Sequence, residues 1–518
     1  MPGVVTSVDC TGSDHLTIRQ VRWGRVRRRR VRMMLGIGTG VRYGVHDACL
    51  ENVARGIVER VFCVRNEGGL GRPPRPVTGA FDRLRVFGDR LVEHLNSTTV
   101  VSRDSYPELY HGRKRVVYQR AVDSLHRRGV AVTDAIVSTF VKAEKVNFTA
   151  KPDPAPRVIQ PRTPRYNVEV GRYLKLFECE IVRGFKRLCG YNVILKGLNA
   201  AGVATQLRDN WKAFRDPVVV GLDASRFDQH VSVEALKFEH SVYNRVFRSP
   251  ELKRLLSWQL SNRGIARVGN HRVDYSVEGC RMSGDINTGM GNCLIMSCMV
   301  LAFLEEVGVN ARLGNNGDDC VLFLNRGDLT KLKGLPAWFL ELGFNMVVEA
   351  PVYVFERIVF CQAQPVLTSS GWRMTRDPAV APSKDAVSLL SWSGEMPVRQ
   401  WCGAIGACGL QLTRGVPFWQ QYYSNLVAYG VESDAACEAV RDSGLGYMAR
   451  GLEANDFISP ESRVSFYKAF GMTPDMQVSL EQEFTLHDLA APKLIINPSQ
   501  IEIIDSDLAR WARANKQR

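Results

Sequence analysis

The 518-residue chain has no Cys-x-x-Cys pair, although 13 cysteines are scattered from Cys10 to Cys437. An odd, dispersed set of this kind is neither a disulfide framework nor a zinc ribbon, and it points to a reducing compartment. No GxxxxGK[ST] stretch occurs, so nothing signals an attached P-loop motor. The longest apolar run, Cys293–Leu304, is too short to cross a bilayer and reads as a buried helix. The N-terminus offers no apolar segment of the secretory type. There is no internal repeat and no long low-complexity tract. Acidic charge is in short supply: Asp+Glu is 53 against 68 Lys+Arg, a formal charge of +15. A field of that sign favours polyanions, with nucleic acid the first partner to consider. With 45% hydrophobic and 23% charged residues, disordered and collagen-like chains are excluded. The length suits either about three domains or one large protein with subdomains.

Residues 1–40 read as a basic flexible arm. Arg22–Arg32 is an acid-free block, either solvated or in contact with RNA, and Gly36, Gly38 and Gly40 follow it. Residues 141–175 carry eight Lys/Arg against three acids, with five prolines between Pro152 and Pro164. Proline fixes φ and removes a donor, so Lys151–Arg165 is expected to be extended or looped. From Pro217 to Gln364 the pattern alternates. Val218–Leu222 reads as a buried strand, Val231–Phe247 and Asp285–Glu306 as helices, and Ala311–Asn315 with Cys320–Leu324 as a hairpin around Asn316-Gly317. A helix near Leu329–Leu342 and a strand near Val352–Cys361 follow. The layout predicts an α+β fold with an antiparallel sheet. Residues 385–518 read mainly as helix.

Three aspartates stand at the ends of these strands. Asp223 follows directly after VVVGL, and Asp318 and Asp319 sit just past the hairpin turn. Carboxylates brought this close repel one another unless cations neutralise them, and hard divalent ions with oxygen ligands do so. Asp228 lies five residues after Asp223, where it can face the sugar of a nucleotide and its 2′-OH. In Ser283-Gly284-Asp285-Ile286-Asn287-Thr288-Gly289-Met290-Gly291-Asn292, a glycine permits a loop before a helix that carries Thr288 and Asn292 on one face.

The ordered set DxxxxD, SGxxxTxxxN and GDD, with separations of 60 and 35 residues, resembles motifs A, B and C of viral RNA-dependent RNA polymerases. DASRFDQHVS, GCRMSGDINTGMGNC and KPDPAPRVIQPRTPRYNVEVGRYLK are similar to the polymerases of the tombusvirus family of plant viruses, especially its carmovirus-like members. The resemblance runs from about Gly40 to at least Gln364, and more loosely to the C-terminus.

It implies an RNA-directed RNA polymerase replicating a positive-strand RNA genome. The fold implied is a right hand with an antiparallel palm sheet: fingers in 41–215, palm in 216–364 with a fingers return segment within about 229–282, and a mainly helical thumb in 365–518. Asp223, Asp318 and Asp319 would be catalytic and would hold two Mg²⁺ (or Mn²⁺). Asp228, Ser283, Thr288 and Asn292 would read the ribose. Lys142, Lys151 and Arg157 match the basic motif F over the triphosphate. Phe360, Cys361 and Gln362 match the motif E hairpin that supports the primer end. The implied partners are single-stranded viral RNA template, nascent RNA, rNTPs and a membrane-anchored viral replication partner. The implied location is the host cytoplasm at membrane-associated complexes, reached through that partner or a missing N-terminal region.

One departure is clear. After Lys333 no Lys, Arg or His occurs until Arg357, so Gly343–Pro351 lacks the lysine that motif D often supplies as a proton donor. Two other readings compete: a reverse transcriptase, which shares the carboxylates, and a basic RNA-binding scaffold without turnover. On the polymerase reading, residues 1–40 are expected to be dispensable for nucleotide incorporation.

Overall fold

Three consecutive valines open the strand Pro217–Ala224 (β1), as β-branched side chains fit a pleated, buried surface. It is an inner strand of a four-stranded antiparallel sheet whose other strands are Ala311–Asn315 (β2), Asp319–Asn325 (β3) and Met346–Val348 (β4). The order across the sheet is β2, β3, β1, β4. Alternation along β1 and β3 divides the core. Val218, Val220, Leu222, Leu322 and Leu324 enter one apolar cluster, while Val219, Val321 and Phe323 enter another with Leu207, Phe355 and the C-terminal helices. This is the computed structural model of the chain, which describes residues 16–21, 28–33, 39–67, 69–390, 394–441, 443–452, 455–486 and 507–515.

Among the helices that contribute to the first cluster are Pro164–Cys189 (α1), Val233–Phe247 (α2) and Thr288–Glu306 (α3). The Thr163 hydroxyl accepts from the Tyr166 amide, and Pro164 follows at the first helical position. The proline-rich segment before it is non-helical, with one short strand at Val158–Ile159. Helix α3 contains the long apolar run. It is the one described helix long and apolar enough to cross a membrane, and it runs through the core of the molecule. It starts at Thr288, three residues later than the sequence suggests, because the preceding residues form a loop tied to neighbouring segments.

A second sheet has five strands in the order Leu16–Gln20, His271–Glu278, Ser261–Val268, Val137–Val141, Val158–Ile159. Only the pairing of Ser261–Val268 with Val137–Val141 is parallel. Where it is described, the N-terminal region thus departs from a flexible arm. Leu16–Gln20 is an edge strand, and Arg32–Met33 pairs with Val387–Ser388. The Arg29 guanidinium donates to the carbonyls of His46 (3.0 Å), Val141 (2.8 Å) and Lys142 (3.2 Å). Arg22–Arg27, Gly36 and Gly38 lie outside the described residues.

Two further expectations change. The segment 352–361 is not a strand: it makes isolated bridges at Val352 and Phe360 around a 3₁₀ turn at Phe355–Arg357. Its end is a tight reversal in which Cys361 and Gln362 both take positive φ, 52° and 61°. The helix foreseen at 329–342 is a 3₁₀ stretch, Arg326–Gly334, followed by Leu335–Glu341 with Pro336 in its first turn. After the hairpin Ala363–Thr368 and Gly371–Arg376, the described C-terminal residues are mainly helical.

Candidate active site

Asp223, near the end of β1, stands directly opposite Asp319, the first residue of β3. Asp318 is exposed in the connecting turn, which Gly317 permits at φ 100°. Three carboxylates therefore border one edge of the sheet. Burial, then the charge of Asp318, raises the Asp223 pKa, with Lys151 pulling the other way. Burial also pushes Asp319 up to about 6. The Cys361 amide opposes this shift, and Asp318 adds to it. That amide donates to Asp319 Oδ2 at 2.9 Å.

The strained charge and the all-oxygen donor set fit a hard divalent cation. Among the described residues no three His, Cys, Asp or Glu side chains close into a ready-made metal cage. An open edge of carboxylates suits an ion that completes its shell with water and substrate oxygens.

The ribose candidates divide into two roles. Asn292 Nδ2 donates to Asp228 Oδ1 at 2.7 Å, so these two converge as the spacing suggests. Ser283 and Thr288 instead hold the loop between them. Ser283 Oγ donates to the Val158 carbonyl (3.2 Å), and Thr288 Oγ1 to the Met282 carbonyl (2.8 Å). Gly284 touches the backbone of Pro161 so closely that an added Cβ would lie 2.5 Å from its Cα. The buried Arg162 locks the same loop by pairing with Asp285 and donating to the Ala135 carbonyl at 2.6 Å.

Of the basic candidates, Lys151 is exposed and acts electrostatically on Asp223, and Arg157 acts on Asp228. Lys142 pairs with Glu144 at 2.8 Å, and Arg157 approaches the same carboxylate at 3.4 Å. At the tight reversal, Cys361 and Gln362 are exposed but Phe360 is only 2% exposed, within the second apolar cluster. Phe360 is thus a core residue and cannot itself touch RNA; the backbone reversal after it turns its neighbours outward.

Sequence reasoning missed the layer beneath Asp228 and Asn292. Arg281 and Glu239 form an ion pair with both side chains 0% exposed. A signal was present: Glu239 interrupts an otherwise apolar helix face formed by Ala235, Leu236, Val242 and Tyr243.

The model of the family described as "Viral RNA dependent RNA polymerase" matches residues 17–491. The chain is 43% identical over 463 residues to the RNA-directed RNA polymerase of turnip crinkle virus, covering 88% of this chain and 60% of that relative. It is 43% identical over 472 residues to that of melon necrotic spot virus, covering 90% and 60%. It is 42% identical over 500 residues to that of tobacco necrosis virus (strain A), covering 95% and 69%. The chain thus spans about 60% of the length of the first two of these relatives. With the motif carboxylates gathered at one sheet edge and the family match running nearly end to end, the chain belongs to the viral RNA-dependent RNA polymerase family.

Proposed function

We propose that this chain is the catalytic core of an RNA-directed RNA polymerase that replicates a positive-strand RNA genome, joining rNTPs to an RNA 3′-OH on a single-stranded template. The observation that carries this reading is the pairing of Asp223 with Asp319 beside Asp318, next to the Asp228–Asn292 contact. The activity named for its relatives supports it. On this reading the four-stranded sheet is the floor of a palm (216–364). The fingers are formed by 41–215 with the return segment 229–282, and the helical region 365–518 is the thumb.

Asp223 and Asp318, with Asp319 assisting, would hold two divalent cations, Mg²⁺ or Mn²⁺, which supply activation of the 3′-OH and charge neutralisation at the triphosphate. Arg157 and Lys151 bind triphosphate oxygens; the planar guanidinium suits two-point phosphate contact. Asp228 accepts from the ribose 2′-OH, and Asn292 donates to it. The Cys361–Gln362 reversal, tied to Asp319 through its amide, supports the primer end. The strand beside Asp223, Met346–Val348, carries no Lys, Arg or His, so the proton for pyrophosphate comes from outside this strand. Membrane association would run through a partner.

The test is incubation of purified protein with a single-stranded RNA template, four rNTPs and Mg²⁺. Template-length product from the wild type and none from Asp318→Asn, with RNA binding retained in both, supports the proposal. Binding without product in the wild type favours the scaffold, and preferential use of dNTPs favours a reverse transcriptase.

A further inference from the structure

The side chains that would meet the ribose rest on a buried polar network, in which Arg281 Nη1 alone of the guanidinium nitrogens has no partner. Asn292 receives Arg281 Nε on its Oδ1 at 3.1 Å and gives its Nδ2 to Asp228 at 2.7 Å. The Arg281 backbone amide also donates to the Asp228 carbonyl at 2.8 Å. Behind it, Arg281 Nη2 pairs with Glu239 Oε2. Glu239 Oε1 accepts from Tyr243 Oη and Asn287 Nδ2, each at 2.8 Å. Asn287 is in turn bonded to Gln259 at 3.0 Å, and His240 meets Gln259 at 3.1 Å. Gly291 is a glycine for this reason. A Cβ there would run into Glu239 Oε1 and lie 2.8 Å from Arg281 Nη2.

A side-chain amide can face either way, and its hydrogen bonds decide which. With Arg281 bonded to Oδ1, the Asn292 amide is turned so that its Nδ2 faces Asp228. Of its two N–H groups, one goes to Asp228 and one is left over. A ribose 2′-OH is both donor and acceptor, and it fits between the free Asp228 oxygen and that spare N–H. A deoxyribose offers neither. If Arg281 withdrew, the amide could turn and place Oδ1 beside the Asp228 carboxylate, breaking this polarity. An unpaired arginine cannot stay buried, so Glu239 is what keeps Arg281 in place.

We propose that the buried Arg281–Glu239 pair is a specificity-determining positioning element that orients Asn292 and Asp228 to select ribonucleotides over deoxyribonucleotides. The inference rests on the polymerase reading and adds two residues to it that contact no substrate. A buried ion pair is often replaceable by apolar residues without loss of stability, so stability alone gives little reason for one here.

The experiment measures kcat and KM for GTP and dGTP on a C template, with melting temperature, for the wild type, Arg281→Lys and Glu239→Gln. Arg281→Lys keeps the charge on Glu239 but loses the forked reach to Asn292. The control is Glu169→Gln, which disrupts a comparably buried carboxylate paired with Arg103 and Arg172. The expected result is a fall of roughly tenfold in the GTP/dGTP preference in both network variants, carried mainly by a higher KM for GTP. The control should lose stability with its preference unchanged. If both network variants lose GTP and dGTP use equally, as the control does, the positioning role is overturned. Nucleotide-induced melting shifts, which need no turnover, provide a second readout. Equal shifts by GTP and dGTP in the wild type overturn the inference. A wild type that favours GTP in this measure but makes no product removes the polymerase reading and leaves the ribose site standing.

Discussion

Asp223 and Asp319 occupy one register position of the antiparallel pair β1–β3, so two carboxylates from distant parts of the chain are fixed face to face. The backbone at Asp223 is held by strands on both sides of β1, and the Asp319 carboxylate by the Cys361 amide. Fixed like charges have two consequences, one for turnover and one for stability.

Asp223→Asn and Asp318→Asn should each lower nucleotide incorporation by about a hundredfold or more, since loss of a cation ligand removes several kcal/mol of transition-state stabilisation. Asp319→Asn should be milder. Single-turnover incorporation at saturating Mg²⁺ measures this, and near-normal rates in Asp318→Asn would sink the assignment.

The same cluster should make the metal-free protein less stable as pH rises. Asp319 is raised from 3.8 to about 6 in the fold, so the folded state binds the proton more tightly than the unfolded one. Its penalty is absent below about pH 4 and complete above about pH 6. Asp319→Asn should therefore melt higher than the wild type at pH 7 in EDTA, and the gap should close as pH falls to 4. A gap independent of pH would contradict the assigned environment.

How much of this could be read from the chain depends on range. The aspartates were legible because each follows a local signal: a β-branched run before Asp223 and an Asn-Gly turn before Asp318. Helix α2 was equally plain, with Ser232 capping it by accepting from the Ala235 amide. The pairing of Leu16–Gln20 with His271–Glu278 was not, since nothing local in a five-residue strand names a partner so far along the chain. The reversal at Cys361–Gln362 was implied only by the motif E resemblance, while the residue pattern read on as a strand, because positive φ is usually announced by Gly or Asn and neither residue is one. The Arg281–Glu239 pair left only a charge on an apolar helix face.

The N-terminal region now carries a different expectation from dispensability. Arg29 joins the carbonyls of three residues in two segments, and its own amide donates to Asp47 at 2.6 Å. Charge-assisted hydrogen bonds are worth about 1.5–3 kcal/mol each in favourable settings. Arg29→Ala should cost about 2 kcal/mol in urea unfolding, and deletion of residues 1–40 should cost more and lower incorporation. Unchanged stability in both would return the region to a solvated arm.

The loop before α3 should tolerate little change. Gly284→Ala places a methyl against the Pro161 backbone, where no side chain can move aside. Asp285→Asn breaks a pair whose side chains are 0% and 2% exposed. Removing one partner of a buried pair costs about 3–5 kcal/mol. Gly284→Ala is expected to cut incorporation at least about tenfold by shifting Ser283 from Val158. Asp285→Asn is expected to lower the urea midpoint first. Rates and unfolding curves measured together would separate the two.

The last prediction concerns Lys145, whose ammonium donates to the Lys384 carbonyl at 2.7 Å and lies 5.2 Å from the centre of the Trp401 ring. It joins the basic segment after Val137–Val141 to the start of the C-terminal region. Burial pushes its pKa down from 10.5 to about 8. Asp385 opposes this shift, and Lys384 and Arg376 reinforce it. The charged form is thus disfavoured in the fold, and the unfolded chain binds more protons between about pH 8 and 10.5. Stability from this group then rises with pH across that window and is lost as pH falls through 8. A Lys145→Met variant removes the titration but also the donor to Lys384, so its offset at any one pH is not diagnostic. The difference between the two proteins is. The wild type should gain on Lys145→Met steadily from pH 8 to 10, whereas a difference that stays flat over that range would mean the ammonium is solvated. Thermal unfolding at closely spaced pH values, at fixed ionic strength, measures this difference directly.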